Sequence, residues 1–482
     1  MSKRRESNIK RSKVSYFLST HCSLARSPFQ DFVQDGMMFT PSAIVITVLS
    51  ALTHPYGLLA VQLSAFGAAA FTKPTSSLRY AAIVVMVAAA YYFHLTVHDR
   101  MDNKMTKTLP AGITMGCTLS AIEKLLIGKW SYEIGGPEAD RKKNNINGSV
   151  NSKKMDHPSP KEPARSKFWF ACDMLFSPRS VGKPWQVKNV PRFSSNDPSY
   201  VPSRGAFLLR ISALAVLCFL VHDISAAQPP PDPRLIAANQ EYFFSRLSDV
   251  TSEKLVFRIA STIGLWVNVA AYLSLFTYVC ALLSVASGLG KPADWHPNFD
   301  SPTNAYSVRQ FWGLAVHICV LIERVLANVL RSVFWHQNLR AMVEGISHFV
   351  THDVLRLAKR TIVARYSNIF LAFFLSGLIH ITSDHGMTLL PSESGAIRFF
   401  LTQALGIVLE DAFQAAYYYV SGQKRSAKAP LMHKIVGYVW LVIFLAWSTP
   451  AWSYPQFRSI RSGVDTLFPF TIFGHDIRSK AR

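Results

Sequence analysis

One histidine stands out because it lies inside an otherwise apolar segment. His380 ends the sequence FLSGLIH within residues 366–383. An ionised side chain inside a bilayer is costly, so such a residue is usually buried among helices or faces a water-filled cavity. Ser376 lies one helical turn earlier on the same face, and Gly377 allows a neighbouring backbone to approach closely. A neutral imidazole here can accept a hydroxyl proton, although the pattern alone favours a histidine that only hydrogen-bonds across a bundle.

Two aromatic clusters precede this segment. The first is FWG at residues 311–313, and the second is FWHQ at residues 334–337, with Arg309 and Arg340 beside them. Aromatic and histidine side chains at a membrane interface commonly anchor helices. Taken alone, the two clusters therefore indicate an interfacial belt.

Two adjacent carboxyl groups, Glu410 and Asp411, lie within the apolar sequence LGIVLEDAFQAAYYYV. Carboxyls in a membrane span are unfavourable unless they are paired, protonated or exposed to an aqueous cavity. Successive helical residues point about 100° apart, so both cannot face one ligand equally well. A structural role, in which they bond to a neighbouring helix, is favoured over direct proton transfer.

The composition requires these residues to be positioned by membrane helices. Of 482 residues, 49% are apolar and only 17% are charged, which is too few charges to cover a soluble protein of this size. The net charge is +22, and half of it lies in residues 1–40 and 128–205, which together hold 21 basic and 10 acidic residues. Such blocks beside apolar segments are typical of cytosolic loops rather than of a nucleic-acid groove. The six cysteines show no CxxC spacing, so neither a zinc site nor a disulfide framework is indicated.

Hydropathy predicts an all-α fold, a polytopic transmembrane helix bundle with six to eight spans. The candidates are 80–97, 206–222, 258–287, 366–383, 397–420 and 433–450. Two further candidates are 43–71, which is interrupted by His54 and Pro55, and 111–127, which is amphipathic and fits a helix along the interface. The predicted organisation is a basic N-terminal segment (1–40), N-terminal membrane helices (41–127), a basic cytosolic loop (128–205), a membrane core (206–455) and a tail (456–482).

Taken together and in order, FWG, FWHQ, SGLIH and GIVLED resemble the wax synthase-like branch of the membrane-bound O-acyltransferases, especially fungal acetyltransferases of terpenoid and mycotoxin pathways. The resemblance runs from about residue 175 to about residue 450 and includes GKPWQVKNVP (182–191) and DWHPNF (294–299). It implies that His380 is the catalytic base. It also implies a second polar residue after FWG.

The sequence departs from the family pattern at that second residue. The family keeps FWG and WHQ within about one helical turn, whereas residues 314–334 separate them here. His317 has the expected spacing from FWG, but His336 has the expected WHQ neighbours, and we prefer His336 as the catalytic partner. Residues 314–333 are then an inserted segment, for which translation of a retained intron is one hypothesis. The residues expected to bind substrate are Trp335, Gln337, Trp312, Ser376, Glu410 and Asp411.

The resemblance implies transfer of an acetyl group from acetyl-CoA, a co-substrate, to a hydroxyl of a hydrophobic small molecule, in particular a terpenoid. It also implies a multi-pass protein of the endoplasmic reticulum that contacts membrane lipid and needs no bound cofactor or metal. Three alternatives remain open. They are long-chain acyl transfer that makes wax esters, a transporter that uses His380, Glu410 and Asp411, and an inactive lipid-binding or scaffold protein.

Overall fold

The computed structural model describes residues 50–133, 135–138, 167–177, 201–297, 306–314, 335–422 and 430–461, together with separate residues between 180 and 200 and between 465 and 473. The chain divides into two compact units, Met1–His54 and Pro55–Arg482. Only residues 50–54 of the first unit are described, and all of the features below belong to the second.

The second unit is helical, as the sequence predicts, and across its described ranges the one β-type pairing is an isolated bridge between Ser131 and Gly136. The first half contains α1 (Pro55–Ala69), α2 (Leu78–Arg100), α3 (Lys104–Ala121, continued by a π-helical turn, Ile122–Ile127), α4 (Lys167–Phe176), α5 (Arg204–Ala226) and α6 (Ser252–Ala286). The second half contains α7 (Val308–Leu314), α8 (Trp335–Phe349, continued by a π-helical turn, Val350–Val354), α9 (Ile362–Gly386), α10 (Ala396–Ser421), α11 (Leu431–Ser448) and α12 (Pro450–Ser459).

Five helices in the described part of the chain are long and apolar enough to cross a membrane, namely α2, α5, α6, α9 and α11. Each coincides with one of the predicted windows. The window 397–420 is also helical, as α10, but α10 is not among these five helices. Five of the predicted spans are therefore supported by the structure, and the predicted total of six to eight stays a prediction.

Helix α9, which carries His380, lies between neighbours on several sides. It packs extensively against α3 and α10 and also against α8. Small residues permit this close packing, as the sequence suggests for Gly377. A Cβ atom at Gly377 would lie 2.8 Å from Cδ1 and 3.3 Å from Cα of Ile397 in α10, so a larger residue would separate the two helices.

The largest aromatic core joins α6, α7, α10, α11 and α12, and it explains how the short helix α12 is held against the bundle. Aromatic side chains bury a large apolar area each, and such rings prefer the edge-to-face and tilted contacts seen here. Its buried members are Trp266, Val308, Phe311, Trp312, Ala396, Phe399, Phe400, Ile407, Leu441, Phe444, Leu445 and Trp452.

Candidate active site

The imidazole of His380 is held by its own helix. Its Nδ1 lies 2.7 Å from the carbonyl oxygen of Ser376, one turn earlier. A carbonyl oxygen only accepts, so Nδ1 carries the proton and the Nε2 atom keeps its lone pair. Ser376 thus contacts His380 through its main chain, because its own hydroxyl donates to the carbonyl oxygen of Ala372 at 3.0 Å. The described residues show no hydrogen-bond partner for Nε2 of His380.

Two aromatic rings from other helices pack against the His380 ring. The ring of Phe400 in α10 lies 4.4 Å away between centroids, at an angle of 35°. The indole of Trp452 in α12 lies 5.0 Å away and is nearly perpendicular, at 88°. The half-buried histidine is therefore surrounded by apolar surface on these sides, and the π face of Phe400 is placed to attract positive charge on the imidazole.

A buried carboxylate lies one turn beyond His380 on the same helix face. Asp384 is 1% exposed and accepts hydrogen bonds from three side chains of other segments. They are the indole Nε1 of Trp452, at 3.1 and 3.3 Å from the two carboxylate oxygens, the Nε2 of Gln456 at 2.8 Å, and the hydroxyl of Ser394. Asp384 was not among the residues predicted from the sequence, although its spacing of four residues from His380 places both on one helix face.

The FWG cluster packs behind the aromatic wall of the site, which is formed by the rings of Phe400 and Trp452. The indole Nε1 of Trp312 donates to Oε1 of Gln403 at 3.1 Å, and the amide of Gln403 donates to the hydroxyl of Ser448 at 3.0 Å. The ring of Trp312 packs against Phe400 at 5.7 Å between centroids. Trp312 thus supports a ring that contacts His380.

The carboxylate of Glu410, a residue of α10, binds the first backbone N–H groups of α7. Its two carboxylate oxygens accept from the backbone N–H groups of Val308 at 2.5 Å and Arg309 at 3.2 Å, and Oε1 also accepts from the indole of Trp440 at 2.9 Å. Backbone N–H groups in the first turn of a helix lack partners within the helix, and a carboxylate satisfies them well. This arrangement favours the structural role of Glu410.

Asp411 points to a different set of partners, in accordance with the helical rotation between adjacent residues. One of its oxygens accepts from the guanidinium groups of Arg309 and Arg365, the latter at 2.8 Å, and from the hydroxyl of Tyr366 at 3.2 Å. Asp411 thereby ties α10 to α7 and α9. The structure does not bring its carboxylate into contact with His380.

The expected catalytic partner, His336, lies at the start of α8. The backbones of Trp335, His336 and Gln337 begin α8, but their side chains lie outside the described residues, as does all of His317. Residues 314–333, which are predicted to be an inserted segment, also lie outside them, apart from the backbone of Leu314. Of the predicted site residues, the structure brings Ser376 and Trp312 near His380, the first by a hydrogen bond and the second through the ring of Phe400. It adds three residues that were not predicted, namely Asp384, Phe400 and Trp452.

Comparison with known proteins identifies the family. Residues 327–402 match the model of the membrane bound O-acyl transferase family, a stretch that includes His380 and Phe400. Acetyltransferase ataH of Aspergillus terreus is 31% identical over 314 residues, which cover 63% of this chain and 94% of the relative. The chain belongs to the membrane-bound O-acyltransferases.

Other curated relatives agree with this assignment. Acetyltransferase fsoF of Humicola fuscoatra is 27% identical over 79% of this chain and 90% of its own length, and acetyltransferase TRI7 of Fusarium sporotrichioides is 29% identical over 59% and 70%. No solved structure matches the chain. Membership of this family confirms the prediction of an O-acyltransferase that is an integral membrane protein. It favours this interpretation over the transporter and the inactive scaffold. Among the described residues, no three or more histidine, cysteine and carboxylate side chains lie together as they would to hold a metal ion.

Proposed function

We propose that this membrane-bound O-acyltransferase transfers an acetyl group from acetyl-CoA to a hydroxyl group of a hydrophobic small molecule, with His380 as the general base. One observation carries the proposal. The hydrogen bond from Nδ1 of His380 to the carbonyl oxygen of Ser376 leaves Nε2 with a lone pair, which is the protonation state that a base needs before it acts. The names of the relatives support acetyl as the acyl group.

The reaction follows from this geometry. Nε2 of His380 takes the proton of the acceptor hydroxyl while the hydroxyl oxygen forms a bond to the thioester carbonyl carbon. The tetrahedral intermediate then collapses, the carbon–sulfur bond breaks, and the departing thiolate receives the proton from the imidazolium. The products are an ester and free CoA. Phe400 stabilises the transient imidazolium because its π face attracts the positive charge.

The other assigned roles come from the family resemblance. We assign to His336, with Gln337 and Trp335 beside it, the orientation of the acceptor or the stabilisation of the thioester oxyanion. On the same resemblance, the acceptor is proposed to be a terpenoid alcohol, and an apolar acceptor of any kind would partition into the bilayer. The endoplasmic reticulum is the proposed location.

Purified microsomes that contain the chain test the proposal. They should convert labelled acetyl-CoA and a terpenoid alcohol to an acetate ester, and His380→Ala should abolish this conversion while the abundance of the protein is unchanged. Parallel reactions with palmitoyl-CoA separate acetyl transfer from wax ester synthesis. The proposal fails if the native chain consumes no acyl-CoA with any alcohol, or if His380→Ala leaves the rate intact.

A further inference from the structure

The catalytic geometry of His380 depends on a contact that its own helix does not supply. The hydrogen bond to Ser376 fixes one ring nitrogen, but the ring is also confined by the indole of Trp452 at 5.0 Å. Trp452 belongs to α12, which begins only two residues after α11 ends. The contacts that hold α12 against α9 therefore also hold the indole against the imidazole, and they influence the direction of the Nε2 lone pair.

Asp384 makes that connection. It lies on α9, one turn from His380, and its carboxylate accepts from Trp452 and Gln456 of α12 and from Ser394, which precedes α10. A carboxylate that is 1% exposed is unfavourable without such donors. Because the Asp384 carboxylate joins α9, α12 and the segment before α10, it fixes the position of Trp452 relative to the helix that carries His380.

We propose that Asp384 is a positioning residue for acyl transfer, which acts by fixing the indole of Trp452 against the imidazole of His380. The inference rests on the function proposed above. The side-chain donors to the Asp384 carboxylate are Trp452, Gln456 and Ser394 rather than His380, so we assign Asp384 a role that does not require contact with the reacting atoms. A displacement of about 1 Å in a reacting group costs about 100-fold in rate, so loosening the indole is expected to be visible in kcat.

The variant Asp384→Asn tests the proposal with little change in volume. The amide nitrogen of asparagine cannot accept a hydrogen bond, so the group retains one acceptor oxygen for its three donors. We expect kcat to fall about 10- to 100-fold, while KM for the acyl donor and for the alcohol each stay within about threefold. An unchanged kcat in folded protein would overturn the proposal.

The double-mutant cycle with Trp452→Phe shows whether Asp384 acts through Trp452. Phenylalanine keeps an aromatic wall but has no N–H to donate, so Trp452→Phe removes the same hydrogen bond from its other end. If both residues act through the same hydrogen bond, kcat of the double variant is at most about threefold lower than kcat of Trp452→Phe alone. Multiplicative losses would show that Asp384 acts independently of the indole and would contradict the proposal.

Two matched variants separate positioning from general destabilisation. Thr382→Ala removes a side-chain hydrogen bond of the same helix, from the Thr382 hydroxyl to the carbonyl oxygen of Ile379, and leaves all donors to Asp384 in place, so kcat should stay within about threefold of the native value. Asp465→Asn changes another buried carboxylate, whose donors are Arg461 and the backbone of Lys104, and neither of these residues contacts His380 or Asp384 through a hydrogen bond in the described part of the chain. It should lower the unfolding temperature without lowering kcat of the folded fraction.

A spectroscopic readout keeps this inference distinct from the proposed function. In protein labelled with 5-fluorotryptophan, the fluorine resonance of Trp452 is the one that disappears in Trp452→Phe. It should shift in Asp384→Asn and stay in place in Asp465→Asn. If the native chain transfers no acyl group, the proposed function fails, and this resonance still decides whether Asp384 fixes the indole. An unshifted resonance in Asp384→Asn would overturn the inference.

Discussion

The imidazole of His380 donates from Nδ1 to the carbonyl oxygen of Ser376 at a distance of 2.7 Å. Because this bond settles the tautomer, the first prediction concerns the base itself. His380→Asn should reduce acetyl transfer about 100- to 10,000-fold, since a positioned base contributes about that factor to the rate. The measurement is ester formation from labelled acetyl-CoA, normalised to folded protein. His433→Asn, in α11 beside Tyr417, is the control and should remain active. A His380→Asn variant with more than about a tenth of the native rate would contradict the assignment.

Glu410 is expected to matter for stability more than for proton transfer. Glu410→Ala leaves the backbone N–H groups of Val308 and Arg309 and the indole of Trp440 without their acceptor, so the free energy of unfolding should fall by about 2–4 kcal/mol. Glu410→Gln keeps one acceptor oxygen and cannot carry a negative charge. Its folded fraction should keep a rate within about threefold of native, whereas a proton-transfer role requires near-complete loss. Chemical unfolding in detergent and the transfer assay measure the two effects.

Gly395 sets the approach of α12 to α10. A Cβ atom at this position would lie 1.6 Å from the carbonyl oxygen of Ala451, immediately before Trp452. Gly395→Ala therefore requires α12 to move, and it should lower the free energy of unfolding by more than about 2 kcal/mol as well as the rate. Gly264→Ala, in α6, is the matched control because its added Cβ would meet no atom within 4 Å. That change should be neutral or stabilising by up to about 1 kcal/mol. Equal unfolding temperatures for the two variants would refute the prediction.

The stability of the junction between α3 and the segment after α12 should depend on pH through Asp465. Burial of the Asp465 carboxyl tends to raise its pKa, but hydrogen bonds from the side chain and backbone of Arg461 and from the backbone of Lys104, together with the Arg461 charge, hold the pKa below its ordinary value of 3.8. A carboxyl with a lowered pKa in the folded state stabilises the fold above 3.8, and this contribution is lost as the pH falls through the folded-state pKa.

Asp465→Asn should therefore lower the free energy of unfolding by about 1–3 kcal/mol at pH 7, and the difference from native should shrink as the pH drops below 3.8. Thermal unfolding at several pH values measures both effects. Asp232→Asn breaks an exposed pair with Arg234 and should change stability by less than about 1 kcal/mol. A gap between native and Asp465→Asn that widens on acidification would show that the sign is wrong.

Residues 314–333 separate FWG from FWHQ. Their removal would join FWG directly to FWHQ and would restore the compact motif implied by the family resemblance. We expect a variant without these 20 residues to form acetate ester at least as fast as the full chain, and we expect spliced transcript to lack their codons. A transcript that retains them would refute the retained-intron hypothesis, and an inactive deletion variant would show that the segment contributes to function.

The sequence by itself determined the helices and the local geometry of the base. Apolar runs of about twenty residues predict membrane helices because unpaired backbone groups are unfavourable in lipid. In the described part of the chain, the five helices that are long and apolar enough to cross a membrane each overlap a predicted window. The relation between Ser376 and His380 is also local, since residues four apart on a helix are neighbours. Family resemblance rather than spacing singled out His380 as a base.

Only the tertiary structure decided what surrounds that base. Trp452 meets Asp384 across 68 residues of sequence, and Glu410 meets Val308 across 102. Hydropathy patterns report which residues are apolar, but they do not report which helices become neighbours or how α12 is rotated against α9. These contacts depend on side-chain packing among several helices, so a buried carboxylate such as Asp384 shows its role only when its donors are seen beside it.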